Sequence, residues 1–341
     1  MNTKLVIATL ALAAFALPTE AVHARGKAFA KTVPALTGAP PEGFAIGKGS
    51  TAYNSSIDGS IYKVDLRSGK GEILVEAEPS FVLPFSLFDG DCYKLGMRVD
   101  PRSNYLFVAG CQVGNAMVFD ADTGEKIADY ELAPFGTVIN DLAITRDAVY
   151  FTDFSGLTGP LLYRLPLSGN GRLPESTAIL PIALTGDFAT DDQLGQDPAE
   201  DPGYKANGIV ATPNGKTLIV GNSNNAQIYR VDPATGQSDR IVVDPPLVGF
   251  LDGIVLHDRT LYILTPFGDG SGPDWIQVVE LDKEMLSGKR VGVITDPDMD
   301  GVASGAMFGG ALYVNNARYM IFPEDDTEYV LTRLSTRDVQ P

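Results

Sequence analysis

Short apolar runs separated by polar turns recur down the chain, with the periodicity of strands rather than helices. One unit reads Glu42-Gly43-Phe44-Ala45-Ile46, a turn, then Ala52-Tyr53. It returns as Leu95-Gly96-Met97-Arg98-Val99 with Leu106-Phe107-Val108, and as Asn140-Asp141-Leu142-Ala143-Ile144 with Val149-Tyr150-Phe151. Two further copies are Asn207-Gly208-Ile209-Val210 with Leu218-Ile219-Val220, and Asp252-Gly253-Ile254-Val255-Leu256 with Leu261-Tyr262-Ile263. A weaker sixth is Ser304-Gly305-Ala306-Met307-Phe308 with Leu312-Tyr313-Val314. Units continue into a third strand and a Gly turn, as in Ile61–Asp65 before Ser68-Gly69 and Ile228–Asp232 before Thr235-Gly236. The first positions fall at 42, 95, 140, 207, 252 and 304. Periods of this size with four short strands each are those of propeller blades. The expected fold is all-β: a six-bladed β-propeller, four strands per blade around a central channel, as one domain over residues 25–341. A β-sandwich gives no reason for Gly to follow the first position in five units of six. An innermost propeller strand does, because backbones crowd the channel there.

Two long intervals mark insertions. Glu78–Tyr93 carries Phe81, Val82, Leu83, Phe85, Leu87 and Phe88, whereas Thr185–Tyr204 is rich in Asp, Pro and Gly. Both join an outer strand to the next inner strand, so an apolar and an acidic loop are expected to rim one channel mouth. Lys27–Val33 is a candidate outer strand to close the ring.

The net charge of −17 sets aside nucleic acid as a partner, since tracking phosphates requires the opposite sign. Lys4 followed by the apolar run Leu5–Leu17 and the Val22-His23-Ala24 site reads as a signal peptide over residues 1–24. The run is short for a membrane span. The expectation is a secreted or periplasmic protein with no membrane span after cleavage. Cys92 and Cys111 flank a hairpin that turns near Pro101–Asn104, which brings them close enough for a disulfide; two buried thiols are the alternative.

The chemistry sits at the first repeat position. Glu42, Asn140, Asn207 and Asp252 all bear a carboxylate or amide oxygen, while the other two units offer Leu95 and Ser304. Residues in one register begin inner strands together and converge near the axis. Two carboxylates and two amides, with no thiol or imidazole, select a hard divalent cation, Ca²⁺ above all. Such an ion takes six to eight oxygens, so water, substrate or backbone carbonyls would complete its shell.

Pro41-Glu42-Gly43, Asn140-Asp141, Ala206-Asn207-Gly208 with its Pro213-Asn214-Gly215-Lys216 turn, and Leu251-Asp252-Gly253 together resemble the senescence marker protein (regucalcin)/gluconolactonase family. More distantly they resemble paraoxonase and diisopropyl fluorophosphatase. The likeness runs over roughly residues 40 to 335. It implies a hydrolase of lactones or related esters, in which a bound cation polarises the carbonyl. By the same resemblance Glu42, Asn207 and Asp252 are metal ligands, and Asn140 is a ligand or a substrate contact. Asp252 doubles as general base, and Asp141 contacts substrate or orients Asn140. Sugar-lactone members tend to carry an Arg just ahead of the Asn140 position. Here Val138-Ile139 stands there, which with the Phe81–Phe88 loop points to a less polar substrate.

Asp153 and Asn222, with Asn54, Asn315 and Asn316, fall where second strands meet third strands on the same face, and are candidate substrate contacts. Trp275 is a candidate wall of the mouth. His257 is expected to be solvated at the far end of its strand, and no G-x-S-x-G motif with a His partner appears. The reading is therefore a monomeric, metal-dependent hydrolase of a small molecule. Its rivals are a non-catalytic ligand- or protein-binding propeller with a structural metal, and a metal-free enzyme of the strictosidine-synthase type.

Overall fold

The computed structural model describes residues 29–81, 92–156, 159, 161–174, 179–191, 206–270 and 272–341. The expected signal peptide, His23, most of the Phe81–Phe88 loop and the later part of the Thr185–Tyr204 insertion lie outside these residues. Six antiparallel-cored sheets form a six-bladed propeller. The inner strands are Pro41–Ile46, Met97–Asp100, Ile139–Ile144, Ala206–Ala211, Ile254–His257 and Val302–Phe308, in blades 1 to 6. They pack side by side in chain order, and blade 6 meets blade 1.

The strands read as unbroken apolar runs because both faces of each sheet are buried. In blade 4, Leu218 and Val220 face blade 3 while Ile219 between them faces blade 5. Every gap between neighbouring blades is filled by its own apolar cluster, such as Phe107 and Val118 against Leu142 and Phe151. A single blade has no such partner, so the fold is stable only as a ring.

The ring closes through the N-terminal strand Thr32–Thr37, which pairs antiparallel with Glu328–Leu334 and supplies the outer strand of blade 6. That strand lies a few residues beyond the expected Lys27–Val33. Lys31 sits just before it and pairs with Asp296 and Asp298, both at 2.8 Å.

Four-stranded blades are one expectation the structure amends. Blades 4 and 5 carry a fifth strand, Thr185–Gly186 and Val242–Asp244, each running parallel along its blade's outer strand. Both are the chain arriving from the preceding blade. The Thr185–Tyr204 insertion therefore begins on the outer edge of blade 4, with the helix Asp187–Asp191 after it, rather than at the channel mouth. Phe188 anchors it, fully buried against Tyr229 at 4.8 Å between ring centroids.

Cys92 and Cys111 are joined in a disulfide with Cα atoms 5.6 Å apart. It lies in a small apolar cluster with Ala39, Ile57 and Leu95 beside the channel. Lys94, fully buried, donates to the Gly59 carbonyl and reaches Glu78 at 3.5 Å, tying the start of the first insertion to blade 1. Among the described residues no helix is long and apolar enough to cross a membrane.

Candidate functional site

The first repeat position is a break in the β-ladder. Pairing between the inner and second strand skips Glu42-Gly43 in blade 1, Asn140-Asp141 in blade 3 and Asn207-Gly208 in blade 4. In blade 5 regular pairing starts only at Ile254, after Asp252-Gly253. A bulge re-aims the side chains it carries, so these four polar residues leave their sheets at the same height of the channel. All but Glu42 are under a tenth exposed, and Glu42 is half-buried.

The same rule corrects blade 6. There the break spans Ala303-Ser304. Gly253 N–H donates to the Ala303 carbonyl as Gly96 N–H does to the Asn140 carbonyl, at 2.9 and 2.8 Å. Ala303 is thus the first position, and Ser304 takes the place that Gly fills elsewhere. The Ser304-Gly305 dipeptide imitates the repeat one residue out of step.

The glycines are steric necessities. A Cβ on Gly43 would stand 2.2 Å from the Leu95 carbonyl, on Gly208 2.5 Å from that of Asp252, and on Gly253 2.5 Å from that of Ala303. Each is pressed against the next blade's inner strand. Beside them, every blade junction is closed by a specific bond. Ser55 Oγ donates to the Leu95 carbonyl at 2.5 Å, Gly96 N–H to Asn140, Ile209 N–H to Asp141 Oδ2 at 3.2 Å, Ser223 Oγ to the Leu251 carbonyl at 2.6 Å, Gly253 N–H to Ala303, and Asn315 Nδ2 to the Glu42 carbonyl at 2.8 Å. The ring is therefore stitched shut immediately around the candidate site.

Within it, Asn207 has a determined orientation. Its Nδ2 donates to Ser223 Oγ at 3.0 Å and to Asp252 Oδ1 at 3.2 Å. Ser223 gives its own proton to Leu251 and a carboxylate only accepts, so the amide nitrogen must face these two groups. The Asn207 oxygen then points away from them. Asp252 Oδ2 accepts from the Tyr319 hydroxyl at 3.0 Å. The Glu42 carboxylate and the Asn140 amide have no hydrogen-bond partner among the described residues.

The described part of the site gathers carboxyl groups without a cationic partner. Burial pushes the Asp252 carboxyl up to about 7, the hydrogen bonds from Tyr319 and Asn207 opposing this and the charges of Asp141 and Asp274 adding to it. Burial, then the charges of Asp252 and Asp141, raises Glu42 well above the carboxylate range. Burial, then the charges of Asp252 and Glu42, raises Tyr319 well above an ordinary phenol. No basic side chain lies against Glu42 or Asp252 among the described residues. No group of three or more His, Cys, Asp or Glu converges there either, so a bound cation would depend on the amide oxygens of Asn140 and Asn207.

Asp141 stands apart. Its Oδ2 accepts from Arg98 of blade 2 at 3.3 Å and from Ile209 N–H of blade 4, bridging three blades. Its Oδ1 is buried without a hydrogen bond among the described residues. The remaining candidates shape turns. Asp153 Oδ1 accepts from Ser155 N–H at 2.9 Å and Ser155 Oγ at 2.6 Å, and Asn222 Oδ1 from Asn224 N–H at 3.0 Å. Asn315 reaches Asn54 at 3.1 Å, and Asn316 bonds Thr332 Oγ1 at 2.9 Å. Trp275 begins a strand and lies over Gly268. His257 is exposed at the opposite end of its strand.

Tyr319, Ser223 and Arg98 are the contributors that sequence reasoning missed. Arg98 carried a signal, a charge inside an apolar inner strand. Tyr319 carried none beyond its place in a loop on the mouth face.

No protein-family model matches the sequence, and no curated protein matches it either. Solved structures do share the fold. A calcium-binding protein, regucalcin, from Agrobacterium tumefaciens is 18% identical with a TM-score of 0.57, over 91% of this chain and 96% of that one. Luciferin-regenerating enzyme is 12% identical with a TM-score of 0.56, over 90% and 94%. A chain of the mitotic checkpoint complex is also 12% identical at 0.56, over 98% and 100%. At these identities the likeness is one of fold, shared between enzymes and assembly proteins.

Proposed function

We propose that the chain is an exported, cation-dependent hydrolase of a lactone or related ester. Glu42, Asn140, Asn207 and Asp252 would be the ligands of a divalent cation, and Ca²⁺ is the ion this all-oxygen set suits. One observation carries the reading: two neighbouring carboxylates, Glu42 and Asp252, stand without a basic partner among the described residues, beside an amide whose oxygen is turned away from its own hydrogen bonds. The calcium-binding protein among the structural neighbours supports the ion, and the luciferin-regenerating enzyme supports a catalytic use of the architecture. Held there, a cation would polarise the ester carbonyl and stabilise the charge that develops on its oxygen.

The chain's own residues do the rest. Asn207 Nδ2 fixes Oδ1 of Asp252, and Tyr319 fixes Oδ2. Asp252, held by those two donors, would take the proton of the attacking water as general base. Asn140 completes the ligand set or contacts the substrate. Asp141 holds the Asn140 backbone against blade 4 and can contact substrate only through Oδ1. Asp153 and Asn222 shape the mouth through their turns, and substrate contact from these turns belongs to the same proposal. The signal-like N-terminus supports a secreted or periplasmic location.

A metal-free enzyme is the second reading, favoured by the Tyr319 hydroxyl already seated on Asp252 Oδ2. Hydrolysis assays separate the two. A panel of γ- and δ-lactones and aryl esters is assayed with Ca²⁺ and with EDTA. The proposal expects turnover that EDTA abolishes and that Asp252→Asn lowers by at least about 10²-fold. Turnover indifferent to EDTA would leave the metal-free enzyme.

A further inference from the structure

Four aromatic rings line one arc of the mouth directly beside the carboxylates. Phe154 follows the second strand of blade 3, and Phe250 lies two residues before Asp252. Their rings meet edge-on with centroids 6.2 Å apart. Blade 4 lies between blades 3 and 5, so a contact that skips it can be made only where the blades converge, over the start of the Asn207 strand. The arc continues with Phe267 of blade 5 and Tyr319 of blade 6, whose centroids are 6.0 Å apart. Tyr319 is the residue that donates to Asp252.

All four rings are half-buried. Their placement is enforced by the backbone. Phe154 N–H donates to the Val138 carbonyl at 2.9 Å. Phe267 sits in the left-handed region at φ 63°, which is unfavourable for a residue that bears a side chain. It is held there by a 2.9 Å bond from its N–H to the buried carboxylate of Asp274. Gly249 presses on the same loop: a Cβ there would lie 2.0 Å from the Gly268 carbonyl. An unfavourable backbone conformation fixed from two sides points to a demand on where the Phe267 ring stands.

We infer that Phe154, Phe250, Phe267 and Tyr319 form an apolar subsite that takes an alkyl or aryl substituent of the substrate, next to the reacting ester group. The occupant follows from continuity with the site, since the arc begins at Asp252's own lead-in segment and ends at its hydrogen-bond donor. The assignment rests on the hydrolase reading for the reacting carbonyl, but the subsite can be probed without turnover.

The probe is δ-valerolactam and its 6-alkyl homologues from methyl to hexyl, which mimic the ring ester and resist hydrolysis. Calorimetric titration of the mature chain in Ca²⁺ should show affinity rising by about fourfold per methylene. Phe154→Ala and Phe250→Ala should flatten that slope to less than about twofold per methylene, in variants that keep a cooperative thermal transition. Wild-type affinity that ignores chain length, or a hydroxylated lactam that binds as tightly as the hexyl one, would overturn the inference. So would a slope that survives both substitutions, or no lactam binding at all. Absence of lactone hydrolysis with an intact lactam slope would remove the hydrolase reading and leave the subsite standing.

Discussion

The two sides of the channel mouth use buried carboxylates in opposite ways. On blades 2 to 4, Asp141 is neutralised: Arg98 supplies the counter-charge, Ile209 N–H a further bond, and three blades are tied together. On blades 4 to 6 and 1, Asp252 and Glu42 have no counter-charge among the described residues, where an amide and a phenol are the hydrogen-bond donors to Asp252. A paired buried charge belongs to the scaffold. Carboxyls buried without a counter-charge hold their protons more tightly, and pKa values perturbed in this way cluster at functional sites.

Substitution on the two sides should separate stability from binding. Asp141→Ala strands a partly solvated Arg98 and the Ile209 N–H. It should cost about 2–3 kcal/mol, below the range for a fully buried pair, because Arg98 keeps some water. Asp252→Asn removes an uncompensated charge and should leave the cation-free chain as stable or more so. Chemical denaturation of both variants checks this contrast, and the reverse order would sink it.

The pH dependence sharpens the same point. Glu42 and Asp252 titrate higher in the folded chain than unfolded, so the folded state binds more protons above the ordinary carboxylate pKa. Their contribution favours folding at low pH, and that of Asp252 is lost as pH rises through about 7. Melting temperature in EDTA should therefore fall between pH 5 and 8 more steeply for the wild type than for Asp252→Asn. Ca²⁺ should remove that excess slope. Equal slopes in the two proteins would contradict the assignment.

The smallest effect is expected at Tyr319. Tyr319→Phe frees Oδ2 of Asp252 from a competing donor, so Ca²⁺ affinity should rise a few-fold, within the worth of one hydrogen bond to a charged group. Weaker binding in this variant would mean that the hydroxyl supports the ion rather than competes with it.

Much of this was legible in the sequence, for a physical reason. Blades are copies, so a shared spacing reveals both the strands and the position that faces the axis; Glu42, Asn140, Asn207 and Asp252 stand in one register because the ladder breaks at one place in each blade. Blade 6 misled because Ser304-Gly305 reproduces the dipeptide while the break falls one residue earlier. The fifth strands, Thr185–Gly186 and Val242–Asp244, were invisible because two or three residues hold no period; they exist only where a neighbouring outer edge accepts them. Tyr319 was illegible because a loop residue acquires its partner from the closed ring and not from its own neighbours in sequence.

The central claim is that the mouth of the channel is a cation site. Its most direct test is calorimetric titration of the mature, EDTA-stripped chain with Ca²⁺, alongside Asp252→Ala. The account predicts one ion per chain in the wild type and at least about a hundredfold weaker binding in the variant, the loss of one charged ligand from an all-oxygen shell. Absence of binding in the wild type, or equal binding in both proteins, would contradict it.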